Sequence, residues 1–122
     1  MLADTSVWID HLRGRSAALA EELEAARVWT HPFVIGEIAM GSLKNRHEVL
    51  SLLAELPAAR TVAHEEAMTL VDARRLPGTG LGWVDAHLLA SSLVEGWRLW
   101  TVDRRLAAVA EGLGIVFQGG PT

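Results

Sequence analysis

Short apolar segments, too brief to be helices, recur between amphipathic helices along this chain, and that alternation constrains the fold more than any other feature. Residues 1–4, 28–31, 60–63, 98–102 and 114–117 read as strands, the segment at 60–63 being the weakest. Between them the spacing predicts helices over 6–12, 16–27, 32 to about 43, 47–56, 64–76, 83–95 and 103–111. Ser16 suits an N-cap, and Pro32 suits the first turn of a helix. Pro57 and Gly96 are stop signals. Such alternation describes an α/β domain with a mostly parallel sheet. Sheets of that kind place ligand sites at the carboxyl ends of their strands.

Composition narrows the function classes. With 122 residues, half of them hydrophobic, the chain has the size and core for one domain, expected to span 1–122. Fifteen acids against eleven bases give a net charge of −4, which argues against a polybasic nucleic-acid coat. Ten of the bases are Arg and only Lys44 is Lys. The absence of cysteine excludes disulfide frameworks, zinc fingers and thiol nucleophiles. The first residues carry no secretory signal pattern, and no apolar run approaches the ~18 residues of a membrane span. The expectation is a soluble, cytoplasmic protein.

Four carboxylates fall at informative places. Asp4 closes the first strand and Asp103 follows the strand at 98–102, so both belong at the same edge of a parallel sheet. Each is also a natural helix N-cap, and the two roles are compatible. Glu37 lies within the i, i+3, i+4 stripe of Phe33, Val34, Ile38 and Gly41, so it is expected in the middle of an apolar face. A carboxylate there needs an arginine partner, a proton or a cation. Asp85 sits in the first turn of a helix that follows the glycine-rich stretch 78–82, where the helix N-terminus favours negative charge. That stretch is neither a Walker loop nor a dinucleotide fingerprint.

Were the four to converge, two carboxylates ~5 Å apart at an effective dielectric of ~20 would repel by roughly 3 kcal/mol. Four make six such pairs, which calls for counter-charge. Oxygen-only ligation selects Mg²⁺ or Mn²⁺ over zinc. A cation so held activates water and neutralises a scissile phosphate. The chemistry points to metal-dependent phosphoryl hydrolysis. A phosphatase with an Asp-x-Asp nucleophile pair fits poorly, because the first strand is followed by Asp4-Thr5-Ser6.

The runs Asp4-Thr5-Ser6-Val7-Trp8-Ile9-Asp10, Gly82-Trp83-Val84-Asp85-Ala86-His87 and Thr101-Val102-Asp103, with Glu37 on an early helix, resemble the PIN-domain family. They are most similar to the VapC-type toxins of bacterial toxin–antitoxin modules. The resemblance implies a three-layer α/β/α sandwich and Mg²⁺- or Mn²⁺-dependent endoribonuclease activity. It implies that Asp4, Glu37, Asp85 and Asp103 form the catalytic metal site, supported by the hydroxyls of Thr101 and Ser6. It further implies an RNA substrate, a homodimer and inhibition by a VapB-like antitoxin. Only Met1, Leu2 and Ala3 precede Asp4, fewer apolar residues than the family's first strand usually carries. Arg104 and Arg105 are candidate phosphate contacts and Trp83 a candidate stacking residue. Trp29, Trp97 and Trp100 are expected in core or interface. The rival reading is a catalytically silent PIN-like module that docks RNA or protein.

Overall fold

A computed structural model of the chain describes residues 1–118. The single-domain expectation runs on to Thr122, and its last four residues lie outside the described ones. The elements are β1 (Leu2–Ala3), α1 (Thr5–Leu12), α2 (Ala18–Glu24), α3 (Pro32–Met40), α4 (Arg46–Glu55), α5 (His64–Ala73), α6 (Trp83–Glu95), β2 (Leu99–Trp100) and α7 (Arg104–Gly112).

The sheet is narrow in residues but wide in strands. β1 pairs in parallel with β2, Leu2 opposite Leu99 and Ala3 opposite Trp100. Parallel bridges extend the ladder outward on both sides, from Leu2 to Trp29, from Thr30 to Ala58 and from Leu99 to Val116. The backbone bonds confirm continuity. Leu2 N donates to Arg98 O at 2.8 Å, Trp29 N to Met1 O at 2.9 Å, Ala59 N to Thr30 O at 2.7 Å and Phe117 N to Leu99 O at 2.8 Å.

In chain order the five extended segments therefore lie 3-2-1-4-5. In that order the connections run outward in opposite directions from the β1/β2 pair. Right-handed crossovers then put the helices of the first half on one face and those of the second half on the other. The packing agrees: α1 contacts α2 and α3, and α3 contacts α4, while α5 packs on α6 and α7 on β2. The crevice at the carboxyl ends of β1 and β2 is the switch point of such a sheet, its usual ligand site.

The strand expected at 60–63 does not form. The ladder instead uses residues 57–59, and the Arg60 carbonyl accepts the Ser91 hydroxyl at 2.7 Å. The first strand is as short as its three apolar residues allow, yet Leu2 and Ala3 are fully buried because β1 is central. α3 ends at Met40, where Gly41 turns extended, and not near residue 43. Of the tryptophans, Trp29 and Trp97 stack at 4.1 Å, and Trp8 and Trp100 are buried.

Candidate functional site: an acidic crevice at the switch point

Asp4 is the N-cap of α1. Its Oδ1 accepts the Val7 amide at 3.1 Å and the Ser6 hydroxyl at 2.5 Å, and only 5% of the residue is exposed. Asp103 is the N-cap of α7, its Oδ1 accepting the Arg105 and Leu106 amides at 2.8 and 3.1 Å. Thr101 and Ser6 join them. Thr101 Oγ1 lies 3.3 Å from Ser6 Oγ and accepts the Asp103 amide at 3.0 Å. Ser6 Oγ in turn accepts the Val102 amide at 3.1 Å. Capping and site-building thus coincide, because a cap occupies one carboxylate oxygen and fixes where the group stands.

Asp85 occupies the third position of α6 and accepts the Gly82 amide on Oδ2 at 3.0 Å. This is the reverse half of a capping box, the glycine having no side chain for the other half. Asp85 is near enough to Asp4 for its charge to act there. The Asp4 carboxyl is pushed above its ordinary value, first by burial and additionally by Asp85. The hydroxyls of Ser6 and Thr101 and the Val7 amide oppose that shift by favouring the anion.

Glu37 is not in the middle of a buried face. It is exposed, and the core side of α3 is formed by Val34 and Ile38. The stripe through Phe33 and Glu37 faces an open groove shared with Trp83 and Met40, so its apolar character marks a surface cleft and not the core. Glu37 Oε1 accepts the Thr5 hydroxyl at 2.6 Å, which ties it to the residue beside Asp4. Thr5 is a contributor that sequence reading passed over; its adjacency to Asp4 was the available signal. The expected alternative for Glu37, a buried arginine pair, is absent among the described residues. The ion pairs there are Arg15–Asp10, Arg27–Glu22 and Arg60–Glu95, all clear of the crevice.

Hydroxyls thus link Asp4 to Asp103, the charge of Asp85 acts on Asp4, and Glu37 is bonded to the neighbouring Thr5, but among the described residues no three acids close into a ready cage for a metal ion. By type they fit a hard cation. All donors are oxygens, and among the described residues none of the four is paired with an arginine or lysine.

Arg104 and Arg105 are exposed at the start of α7. Arg105 lies across the glycine-rich loop so closely that a Cβ at Gly80 (φ +84°) would overlap its guanidinium. His87 is buried under the groove, edge-on to Phe33 at 4.8 Å and to Trp83 at 4.7 Å, with Nδ1 unpaired. Burial first, and His64 second, depress its basicity. It is a packing residue rather than one open to RNA.

A parallel sheet of order 3-2-1-4-5 with acids at its switch point defines a class, and the comparisons with known proteins agree with it. The PIN domain family matches residues 1–112, and the chain belongs to that family. It is 52% identical over 116 residues, 94% of each chain, to "Ribonuclease VapC32" of Mycobacterium tuberculosis, in both strain CDC 1551 / Oshkosh and strain ATCC 25618 / H37Rv. Its fold is similar to the crystal structure of PAE2754 from Pyrobaculum aerophilum, with a TM-score of 0.64 over 92% of this chain and 90% of that one, at 19% identity.

Proposed function

We propose that this chain is a divalent-metal-dependent endoribonuclease, the toxin of a VapC-type toxin–antitoxin module, folded as one PIN-like domain over 1–122. The observation that carries the reading is the hydroxyl bridge across the switch point, in which Ser6 and Thr101 link the Asp4 cap of α1 to the Asp103 cap of α7. Kinship to a ribonuclease over 94% of both chains supports it. No helix among the described residues is long and apolar enough to cross a membrane; the proposed place of action is the cytoplasm. The proposed partners are an RNA substrate, a VapB-like antitoxin and a second copy of the chain.

In this reading Asp4, Glu37, Asp85 and Asp103 hold Mg²⁺ or Mn²⁺. When bound, the cation supplies Lewis acidity to water and charge neutralisation to the phosphodiester. Asp4 brings a buried, fixed carboxylate, preorganised by two donors before substrate arrives. Thr101 and Ser6 keep Asp103 and Asp4 from drifting apart under their mutual repulsion. Glu37, reaching from α3 and steadied by Thr5, closes the crevice from the other side. Arg104 and Arg105 are placed for phosphate oxygens beside Asp103.

The test is cleavage of a mixed RNA substrate by the purified chain with Mn²⁺, Mg²⁺ or EDTA, beside Asp85→Asn. Metal-dependent cleavage lost in the variant is expected. Equal cleavage by a folded Asp85→Asn protein, or cleavage undiminished by EDTA, would sink the reading. No cleavage and no Mn²⁺ binding would leave the silent module.

A further inference from the structure

The groove beside Glu37 has a character of its own. Phe33, Met40, Trp83 and Val84 line it, and Glu37 is its one ionisable wall. Met40 is 89% and Trp83 42% exposed, while the indole is braced from behind by His87 edge-on at 4.7 Å and flanked by His64 at 5.3 Å. A rigid, half-open aromatic face therefore stands two residues from Asp85 and shares a cleft with Glu37. The arginines that sit by the crevice, Arg104 and Arg105, are on α7 beside Asp103.

That asymmetry decides what the groove can take. A phosphate placed there would meet the Glu37 carboxylate with no arginine or lysine lining the groove. An uncharged flat ring would instead cover Trp83 and the apolar floor. The geometry points to a nucleobase subsite: one unstacked base of a single-stranded RNA lies on Trp83 over Phe33 and Met40, with its adjoining phosphates outside the groove. This deepens, and rests on, the ribonuclease reading. Base stacking on an aromatic side chain needs no sequence-specific hydrogen bond, so the subsite favours unpaired RNA over duplex.

The experiment measures binding apart from cleavage. A fluorescently labelled 12-nucleotide single-stranded RNA with 2′-O-methyl sugars is titrated by anisotropy into the wild type, Trp83→Ala, Trp83→Phe and Met40→Glu. An abasic oligomer of equal charge serves as the control. Trp83→Ala is expected to weaken RNA binding roughly five- to a hundredfold, with Trp83→Phe retaining most of the affinity. Its log–log salt slope should stay unchanged, since no phosphate contact is lost. Met40→Glu, at an exposed position that cannot disturb the core, should weaken RNA binding too. The abasic oligomer should bind the wild type no better than it binds Trp83→Ala.

Wild-type affinity in Trp83→Ala and Met40→Glu would overturn the subsite, as would equal binding of RNA and abasic oligomer by the wild type. So would a loss of self-association in Met40→Glu with RNA affinity unchanged, which would make the groove a protein interface. The ribonuclease reading fails separately. A wild type that binds RNA through Trp83 but never cuts it would keep the subsite and discard the catalysis.

Discussion

On the strand side of the crevice, Asp4, Ser6, Thr101 and Asp103 form one hydrogen-bonded row in which each side chain satisfies a backbone amide. On the helical side, Glu37 is exposed and Trp83 half-open, and one bond from Thr5 ties Glu37 to the residue after Asp4. The first arrangement is fixed by the parallel ladder itself, because the two strands end side by side. The second depends on how the starts of α3 and α6 meet, at Phe33, Trp83 and His87. The difference teaches that this crevice couples a charged wall, locked by backbone amides, to an open apolar one built from helix faces.

The largest effect that tests this division is on turnover. Asp4→Asn is expected to lower kcat by about 10³ or more, about 4 kcal/mol of barrier, because it removes a preorganised buried charge. Glu37→Gln, on the open side, is expected to cost about 10- to 100-fold, with KM changing more than in Asp4→Asn. Single-turnover cleavage, with folding checked by circular dichroism, measures both. Equal losses would erase the distinction. Mn²⁺ should also raise the Tm of the wild type, by about 2.7 kcal/mol of stability at 100 times its Kd. Asp4→Asn should lose that increment.

Acid stability separates the two sides by sign. His31 is fully buried under the start of α3, where Nδ1 accepts the Phe33 amide at 3.0 Å and Nε2 faces Ser91 Oγ at 3.1 Å. The amide bond puts the ring proton on Nε2, leaving the imidazole neutral. Burial lowers its pKa from 6.5 to about 4. The unfolded chain thus binds the extra proton between those values, so stability is complete above pH 6.5 and falls as pH drops toward 4, by about 3 kcal/mol. The Asp4 carboxyl is shifted upward, so its anionic form costs stability above that raised pKa, a cost relieved on acidification. Urea denaturation of the metal-free protein against pH should show the His31 slope, and His31→Gln should flatten it. An unchanged slope in that variant would assign the titration elsewhere.

Removing the bridge between the caps should have a smaller effect. Thr101→Val leaves the Asp103 amide without its acceptor, and Ser6→Ala does the same to Val102. Each is expected to cost about 1–3 kcal/mol of stability, and cleavage should fall more than binding. Their double mutant should lose less than the sum, because both lie in one network. Strict additivity in thermal denaturation would show that the hydroxyls act independently.

The strand side was legible in the sequence and the helical side was not. Asp4, Asp103, Ser6 and Thr101 sit within three residues of strand ends; chain order places the two acids there and local chemistry gives their capping role, while the two hydroxyls were implied by the family resemblance. Glu37 was found by the helical stripe but misplaced, since periodicity marks an apolar face without saying whether core or cleft covers it. The Phe33–Met40–Trp83 groove is made by α3 and α6, about fifty residues apart in the chain, so no local pattern announces it. Likewise the ladder takes residues 57–59 in place of the strand expected at 60–63, three residues earlier, because its register is set by Thr30 and not by its own side chains.

The seam between the two sides lies at Gly80, where Arg105 of α7 crosses the loop that leads into α6. Two costs meet there: a φ of +84°, which disfavours any side chain, and the overlap of a Cβ with the guanidinium. Gly80→Ala is expected to destabilise by about 1–2 kcal/mol. The two costs are separable, because only the second vanishes when Arg105 is shortened. In the Gly80→Ala/Arg105→Ala pair the backbone strain of about 1 kcal/mol should persist while the remainder is recovered, giving a favourable coupling in a double-mutant cycle. If the arginine merely drapes over solvent, the cycle closes to zero and the two aspartate-bearing helices are positioned without it. If coupling appears, Arg105→Ala alone should loosen Asp85 relative to Asp103, raising the Mn²⁺ concentration needed for half-maximal cleavage several-fold with little change in Tm.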